Sequence, residues 1–201
     1  MPDHREARVA VLASGVGAGL AAIRAAGVPV AVVLVDRPCP ATDIAAGYGI
    51  PVELVRRQPN REQFTRSIVT TLVRHDIDLV VIAGFMSILG RSAFVAFPDR
   101  VLNFHPSLLP AFRGANAVAD ALRAGATVTG ATVHIATERV DDGPILAQEP
   151  VPILPGDSVE SLTRRIQAVE HRLYPETIHD FIGRPTELSD SERQAAERFG
   201  P

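Results

Sequence analysis

The chain is poor in cysteine, in long apolar runs and in excess charge of either sign, and each shortage removes a class of protein. A single cysteine, Cys39, can close no internal disulfide and offers no thiolate cluster for a metal, so the sequence reads as the product of a reducing compartment. With 20 Lys and Arg against 23 Asp and Glu the formal net charge is -3, which argues against a general nucleic-acid binder, since those present a basic surface. No apolar stretch is long enough to span a bilayer, and the polar start from Met1 to Arg8 carries no signal-peptide pattern. Internal repeats and interdomain linkers are also missing. The expectation is a cytoplasmic protein, monomer or homodimer, that acts on small molecules without nucleic-acid or membrane partners.

What is present is an ordinary globular composition: 201 residues, 46% hydrophobic and 21% charged, enough for one domain with a substantial core. Short β-branched runs alternate with longer helical patterns. Strands are expected at Arg8 to Ala13, Val30 to Val35, Val52 to Val55, Leu79 to Ala83 and Val101 to Phe104. Leu79 to Ala83 has no polar member, as suits a strand buried on both faces. Thr127 to Ala136 alternates polar and apolar residues and reads as a half-exposed, antiparallel strand paired with Ile145 to Val151. Helices are expected at Ala18 to Ala26, Ala41 to Tyr48, Arg61 to His75, Arg91 to Phe97, Ala117 to Ala124 and Ser161 to Phe181, the last with Ser158 as N-cap. The fold class is therefore α/β: one Rossmann-like domain over 1–183, its mostly parallel central sheet carrying helices on both faces and an antiparallel C-terminal strand pair. A polar tail follows over 184–201, with a short helix near Glu192 to Phe199.

Ligands of open α/β sheets bind outside the carboxyl ends of the strands. Three unusual segments fall at such ends: Ser14 to Leu20, Gly84 to Leu89 and Asn103 to Pro110. The first is glycine-rich and opens a helix, so it reads either as a phosphate cradle or as a plain strand-to-helix turn. Its glycines at 15, 17 and 19 do not reproduce the G-x-G-x-x-G dinucleotide fingerprint. In the third, Asn103 and His105 stand two apart in an extended segment and project to one side. An amide can stabilise charge on oxygen and an imidazole can move a proton near neutrality. Pro106 and Pro110 stiffen the loop, and the Leu109-Pro110 bond is a candidate for the cis form. A site is favoured here over a structural histidine. Asp141 or Asp142, in the turn before Gly143-Pro144, could orient His105 and favour its protonated form, but spacing does not say which aspartate points inward. His134 reads equally as a core histidine or a catalytic one. No His or Cys spacing suggests a metal, and the set suits an organic acid–base site better.

The residues Ala83-Gly84-Phe85-Met86-x-Ile88-Leu89, Asn103-x-His105-Pro106-Ser107-Leu108-Leu109-Pro110, Val128 to His134, Asp141-x-Gly143-Pro144-Ile145 and Glu170-His171-x-x-Tyr174-Pro175 together resemble the phosphoribosylglycinamide formyltransferases. These are a branch of the formyltetrahydrofolate-dependent transferases, and the likeness runs from about Arg8 to Phe181. It implies transfer of the formyl group of 10-formyltetrahydrofolate to the amine of glycinamide ribonucleotide, without a metal. By the same likeness His105 is the proton donor, Asp141 supports it, and Asn103 holds the formyl oxygen. Arg61, Met86, Ser87, Ile88, Leu89 and Asn103 would contact the folate. Gly17, Ala18 and Gly19 would take the nucleotide phosphate, and Glu170 the ribose.

The departures from the family pattern gather on the acceptor side. The loop usually reads Ser-Gly-x-Gly-Ser-Asn-Leu, whereas here Ala18 and Gly19 supply neither hydroxyl nor amide. Ser87 stands where Arg is usual. Phe112-Arg113-Gly114-Ala115-Asn116 replaces a Pro-Gly-x-His form, with Arg113 a candidate to compensate for lost charge. These changes leave two alternatives open: formylation of another small amine, such as an amino sugar, and a non-catalytic folate- or nucleotide-binding homologue.

Overall fold

The computed structural model describes residues 6–183. The expected tail and its short helix lie outside them. Seven strands form one sheet: β1 (Val9–Ala13), β2 (Val30–Val35), β3 (Val52–Leu54), β4 (Leu79–Ile82), β5 (Val101–His105), β6 (Val128–Ile135) and β7 (Ile145–Pro152). Their order is β3-β2-β1-β4-β5-β6-β7. The first five are mutually parallel, while β6 runs antiparallel to both β5 and β7.

Alternate residues of the central strands serve two cores. Val9, Val11 and Ala13 pack with Leu20 and Ile23 of α1 (Ala18–Ala25), Ala41 and Ala45 of α2 (Ala41–Gly47), and Tyr174 and Ile178 of α6 (Val159–Gly183). Ala10 and Leu12 face the other way, onto Phe64, Ile68 and Leu72 of α3 (Arg61–Arg74) and Ala93 of α4 (Arg91–Ala96). A third cluster joins Val118 of α5 (Ala117–Arg123) to Ala131, Val151, Leu162 and Ile166. Every β1 residue is therefore buried, which is why that strand reads as an uninterrupted apolar run.

Local signals set the helix ends. The Asn60 side chain accepts the Gln63 N–H at 3.0 Å and caps α3. At the start of α6, Ser158 Oγ accepts from Ser161 N (3.2 Å) while Ser161 Oγ accepts from Ser158 N (2.9 Å), a reciprocal cap of the expected kind. That helix continues through Pro175, because its inner face is anchored: the Tyr174 hydroxyl lies 3.0 Å from the Ile82 carbonyl and 2.9 Å from that of Leu102. The first five helices each stop one residue short of the expected end, since Ala26, Tyr48, His75, Phe97 and Ala124 are their C-caps.

One expectation is corrected. The polar and apolar alternation of β6 suggests a half-exposed strand, yet Thr129 to His134 are all buried. Its Thr132 faces the segment after β5, and its His134 faces Asn103 of β5, instead of water. Thr132 Oγ1 donates to the Ser107 carbonyl at 2.6 Å and accepts from Leu109 N (3.2 Å) and Gln148 Nε2 (2.9 Å). Those bonds tie the proline-bearing segment, with its cis Leu109-Pro110 bond, to the sheet.

Candidate active site

The three segments singled out in the sequence follow β1, β4 and β5, which are neighbours in the sheet, and so they meet at one carboxyl edge. Backbone and side-chain bonds join the first two: Ser14 N donates to the Gly84 carbonyl (3.1 Å), and Met86 N donates to Ser14 Oγ (3.0 Å).

His105 closes β5 and is buried at 4% exposure. Its Nε2 lies 2.8 Å from the Phe112 carbonyl; a carbonyl only accepts, so Nε2 carries a hydrogen. Its Nδ1 faces Asp141 Oδ2 at 3.2 Å, which is also an acceptor when ionised. A neutral ring can donate to only one of these partners, whereas the doubly protonated ring satisfies both. The two residues that grip the imidazole, Phe112 and Asp141, have φ of 51° and 53°. Left-handed backbone at non-glycine residues is costly, and here it aims a carbonyl and a carboxylate at one ring.

Asp141 is the inward aspartate. Gly114 N donates to its Oδ2 at 2.9 Å, and Asn103 Nδ2 approaches Oδ1 at 3.4 Å. Burial works against the charge of this carboxyl, but the Gly114 N–H and the His105 ring outweigh it and hold the group below its ordinary range. His134 Nε2 stands 3.7 Å from Oδ1, beyond hydrogen-bond reach. Asp142 turns outward to pair with Arg113 and Arg139. Arg113, a candidate for lost charge on the acceptor side, is therefore engaged at the turn.

The role of His134 was not legible from spacing. Asn103 and His134 are direct partners across β5 and β6, and Asn103 Nδ2 lies 3.2 Å from His134 Nε2. The opposite nitrogen, Nδ1, sits 3.0 Å from the Ile135 carbonyl and must donate to it. That leaves Nε2 of a neutral ring to accept from the Asn103 amide, so a histidine in an apolar strand orients the asparagine beside it.

The remaining expected residues divide. Met86 and Ile88 are exposed, at 67% and 54%, and present apolar surface at the sheet edge. Leu89 points into the core between α3 and α4, leaving only its backbone to meet a ligand. Ser87 is buried and its hydroxyl donates to Asp36 Oδ2 at 2.7 Å, away from Asn103 and His105. Arg61 is exposed at the start of α3. Gly17 has φ +80° and abuts Ala41, where an added Cβ would stand 2.9 Å from the Ala41 Cα. Gly19 and Glu170 face one another, since a Cβ on Gly19 would lie 3.6 Å from Glu170 Oε1. Burial without a compensating partner among the described residues pushes the Glu170 carboxyl up to about 7. His171, beside Glu170 in the sequence, is exposed.

A doubly wound sheet that gathers an amide, an imidazole and a carboxylate at its carboxyl edge, beside a glycine-rich helix start, has the make-up of an enzyme that works by acid–base chemistry. Residues 7–178 match the formyl transferase family, and the chain belongs to it. It is 48% identical over 180 residues to the phosphoribosylglycinamide formyltransferase of Mycobacterium tuberculosis, covering 86% of this chain and 84% of that protein. Among solved structures, glycinamide ribonucleotide transformylase 1 from Symbiobacterium toebii superposes with a TM-score of 0.85 at 43% identity, over 88% of this chain and 87% of that one. The phosphoribosylglycinamide formyltransferase of Bacillus halodurans gives 0.85 at 41%, over 90% and 98%.

Proposed function

We propose that this enzyme transfers the formyl group of 10-formyltetrahydrofolate to the primary amine of glycinamide ribonucleotide, a step of purine synthesis, in the cytoplasm. The observation that carries the reading is the convergence of Asn103, His105 and Asp141 at the carboxyl edge of the sheet. Family membership and the names of its relatives point the same way.

The amine nitrogen forms a bond to the formyl carbon, and the carbonyl π pair moves onto oxygen. Asn103 Nδ2 donates to that oxygen. Its long 3.4 Å bond to Asp141 is the one released on substrate arrival, while the 3.2 Å bond to His134 keeps the amide in place. As the tetrahedral centre collapses, the bond to the folate nitrogen breaks and takes a proton from His105 Nε2. Asp141 stays at Nδ1 and holds the ring in register throughout. The amine proton then restores the imidazolium. Met86 and Ile88 provide apolar surface for the pterin. The N–H groups at Gly17 to Gly19 take the phosphate, which needs backbone donors more than side chains. Glu170, beside Gly19, takes the ribose hydroxyls.

The test is a product assay with 10-formyltetrahydrofolate, comparing glycinamide ribonucleotide with a panel of other amines and with water alone. Formylglycinamide ribonucleotide as the preferred product is expected. Turnover confined to another amine, or release of formate only, would replace the acceptor in this reading. No transfer to anything would favour a binding protein.

A further inference from the structure

Ser87 brings no charge to the loop after β4, yet positive charge collects beside it. Asp36 follows β2, two residues beyond Leu34, and so lies on the α3 side of the sheet at its carboxyl edge. Its side chain is wholly buried, and Ser87 reaches it across the end of β1. Arg37 grips the same carboxylate with Nε and Nη2, both at 3.0 Å. The Nε of Arg57 stands 3.8 Å from Oδ2, near enough for attraction and too far for a hydrogen bond. Burial opposes the charge on Asp36, but Arg37, Ser87 and Ser14 override it and bring the carboxyl down to about 2.

Two guanidinium groups thus share one carboxylate, and a positive charge is left over. The arginine side chains are 44% and 56% exposed, so the remaining N–H donors face water. Arg37 is pre-set by its fork onto Asp36, and Arg57 commits no donor to that carboxylate. On the ligand side of Ser87 the surface is apolar, through Met86 and Ile88. Apolar ground bordered by a cationic pair matches a molecule with a flat ring system at one end and carboxylates at the other. A formyltetrahydrofolate has that build, because its pterin and aminobenzoyl rings end in a glutamate.

We propose that Arg37 and Arg57 form an anion site that takes the glutamate carboxylates of the folate co-substrate, an inference that rests on the formyl-transfer reading above. In this chain the charge is carried by Arg37, held on Asp36, and by Arg57 beside it, while position 87 contributes only the hydroxyl that fastens its loop to the same carboxylate.

The experiment compares a folate with its counterpart lacking glutamate. Binding of 5-formyltetrahydrofolate and 5-formyltetrahydropteroate, the unreactive isomers, is measured by calorimetry for wild type, Arg57→Ala and the Arg37→Ala/Arg57→Ala pair, with Arg74→Ala as a remote control. The wild type should prefer the glutamylated ligand. Arg57→Ala should cut that preference about tenfold, the size of one charge-assisted bond, and the double variant should nearly abolish it. Added salt should erode the preference in the wild type and not in the double variant. Arg57→Ala breaks no hydrogen bond to Asp36 and so guards against a folding artefact. An undiminished preference in the double variant overturns the proposal. So does an equal loss for both ligands, which would mean that the arginines only brace the loop. A wild type that binds neither ligand would instead defeat the formyl-transfer reading itself.

Discussion

Asp141 Oδ2 stands 3.2 Å from His105 Nδ1 and is fixed there by the Gly114 N–H at 2.9 Å. The carboxylate is thus the second jaw of a clamp whose first jaw, the Phe112 carbonyl, holds Nε2. Replacing Asp141 by Asn keeps the volume and removes the charge that complements an imidazolium. Asp141→Asn is expected to lower kcat about 10²–10⁴-fold, the usual contribution of a positioned acid–base group, with folate affinity little changed. His105→Ala should lose a similar factor, and the double variant should lose little more than either alone, since the pair acts as a unit. A multiplicative loss in steady-state kinetics would separate their roles. The sign of the pH effect follows from the lowered pKa of Asp141. Its stabilisation is present above the ordinary value of 3.8 and lost as pH falls through the depressed one, so neutral-range activity should owe nothing to its titration.

In the proposed mechanism Asn103 stabilises the developing charge, and His134 orients Asn103. Asn103→Ala is expected to reduce kcat about 10²–10³-fold, the typical effect of losing one oxyanion donor. His134→Ala leaves the Asn103 amide without a buried acceptor and should cost about 1–3 kcal/mol of stability. A residue that only packed the core would change the melting temperature alone. An orienting residue should also lower kcat at unchanged KM, and His134→Gln, which can return an acceptor near Nε2, should recover part of that loss.

How far the sequence reached depends on the range of each interaction. The β1, β2 and β4 strands were legible because burial on both faces leaves an apolar run, and helix starts at Ala18, Arg61, Arg91 and Ala117 because glycine, asparagine or a sharp change in pattern precedes them. Asn103 and His105 were legible because a strand puts residues two apart on one face. The choice between Asp141 and Asp142 was not, since adjacent turn residues differ only in backbone conformation, and a φ of 53° leaves no mark in the sequence. Pairing of Asn103 with His134 needs the β5–β6 register, and pairing of Ser87 with Asp36 needs the strand order; both are fixed by tertiary packing. Polar residues of β6 misled for a similar reason, because the surface they face is another segment of chain.

Glu170 should make both stability and nucleotide binding depend on pH. Its carboxyl is raised by burial to about 7 from 4.5, so the folded state prefers the neutral form. The linked stability is fully present below the unfolded value near 4.5 and is lost as pH rises towards 7. Glu170→Gln removes that dependence. The variant should therefore gain on the wild type between about pH 4.5 and 7 and hold a constant advantage above, at most on the order of 3 kcal/mol. Nucleotide affinity should run the opposite way, because ribose hydroxyls donate best to the ionised group. Melting curves that stay parallel across this range would show that Glu170 is ionised throughout.

The helix start at Gly17 to Gly19 separates what the fold requires from what a ligand requires. Gly17 has φ +80°, and a Cβ there would press on the Ala41 backbone at 2.9 Å. Gly17→Ala should destabilise by about 1–3 kcal/mol and, if these N–H groups take the phosphate as proposed, raise the nucleotide KM. Gly19 differs. Its backbone is helical, and a Cβ there would meet Ala83 Cβ at 3.4 Å and Glu170 Oε1 at 3.6 Å, both ordinary contacts. A Cβ at 19 is thus accommodated beside Glu170, so Gly19→Asn brings an amide there, and Ala18→Ser adds a hydroxyl next to it. If glycinamide ribonucleotide is the acceptor, the double variant Ala18→Ser/Gly19→Asn should bind it about 3–10-fold more tightly, the worth of one added neutral hydrogen bond, with kcat unchanged. A double variant that binds the nucleotide no better, but loses turnover with a different amine, would mean that the small residues at 18 and 19 make room for that other acceptor.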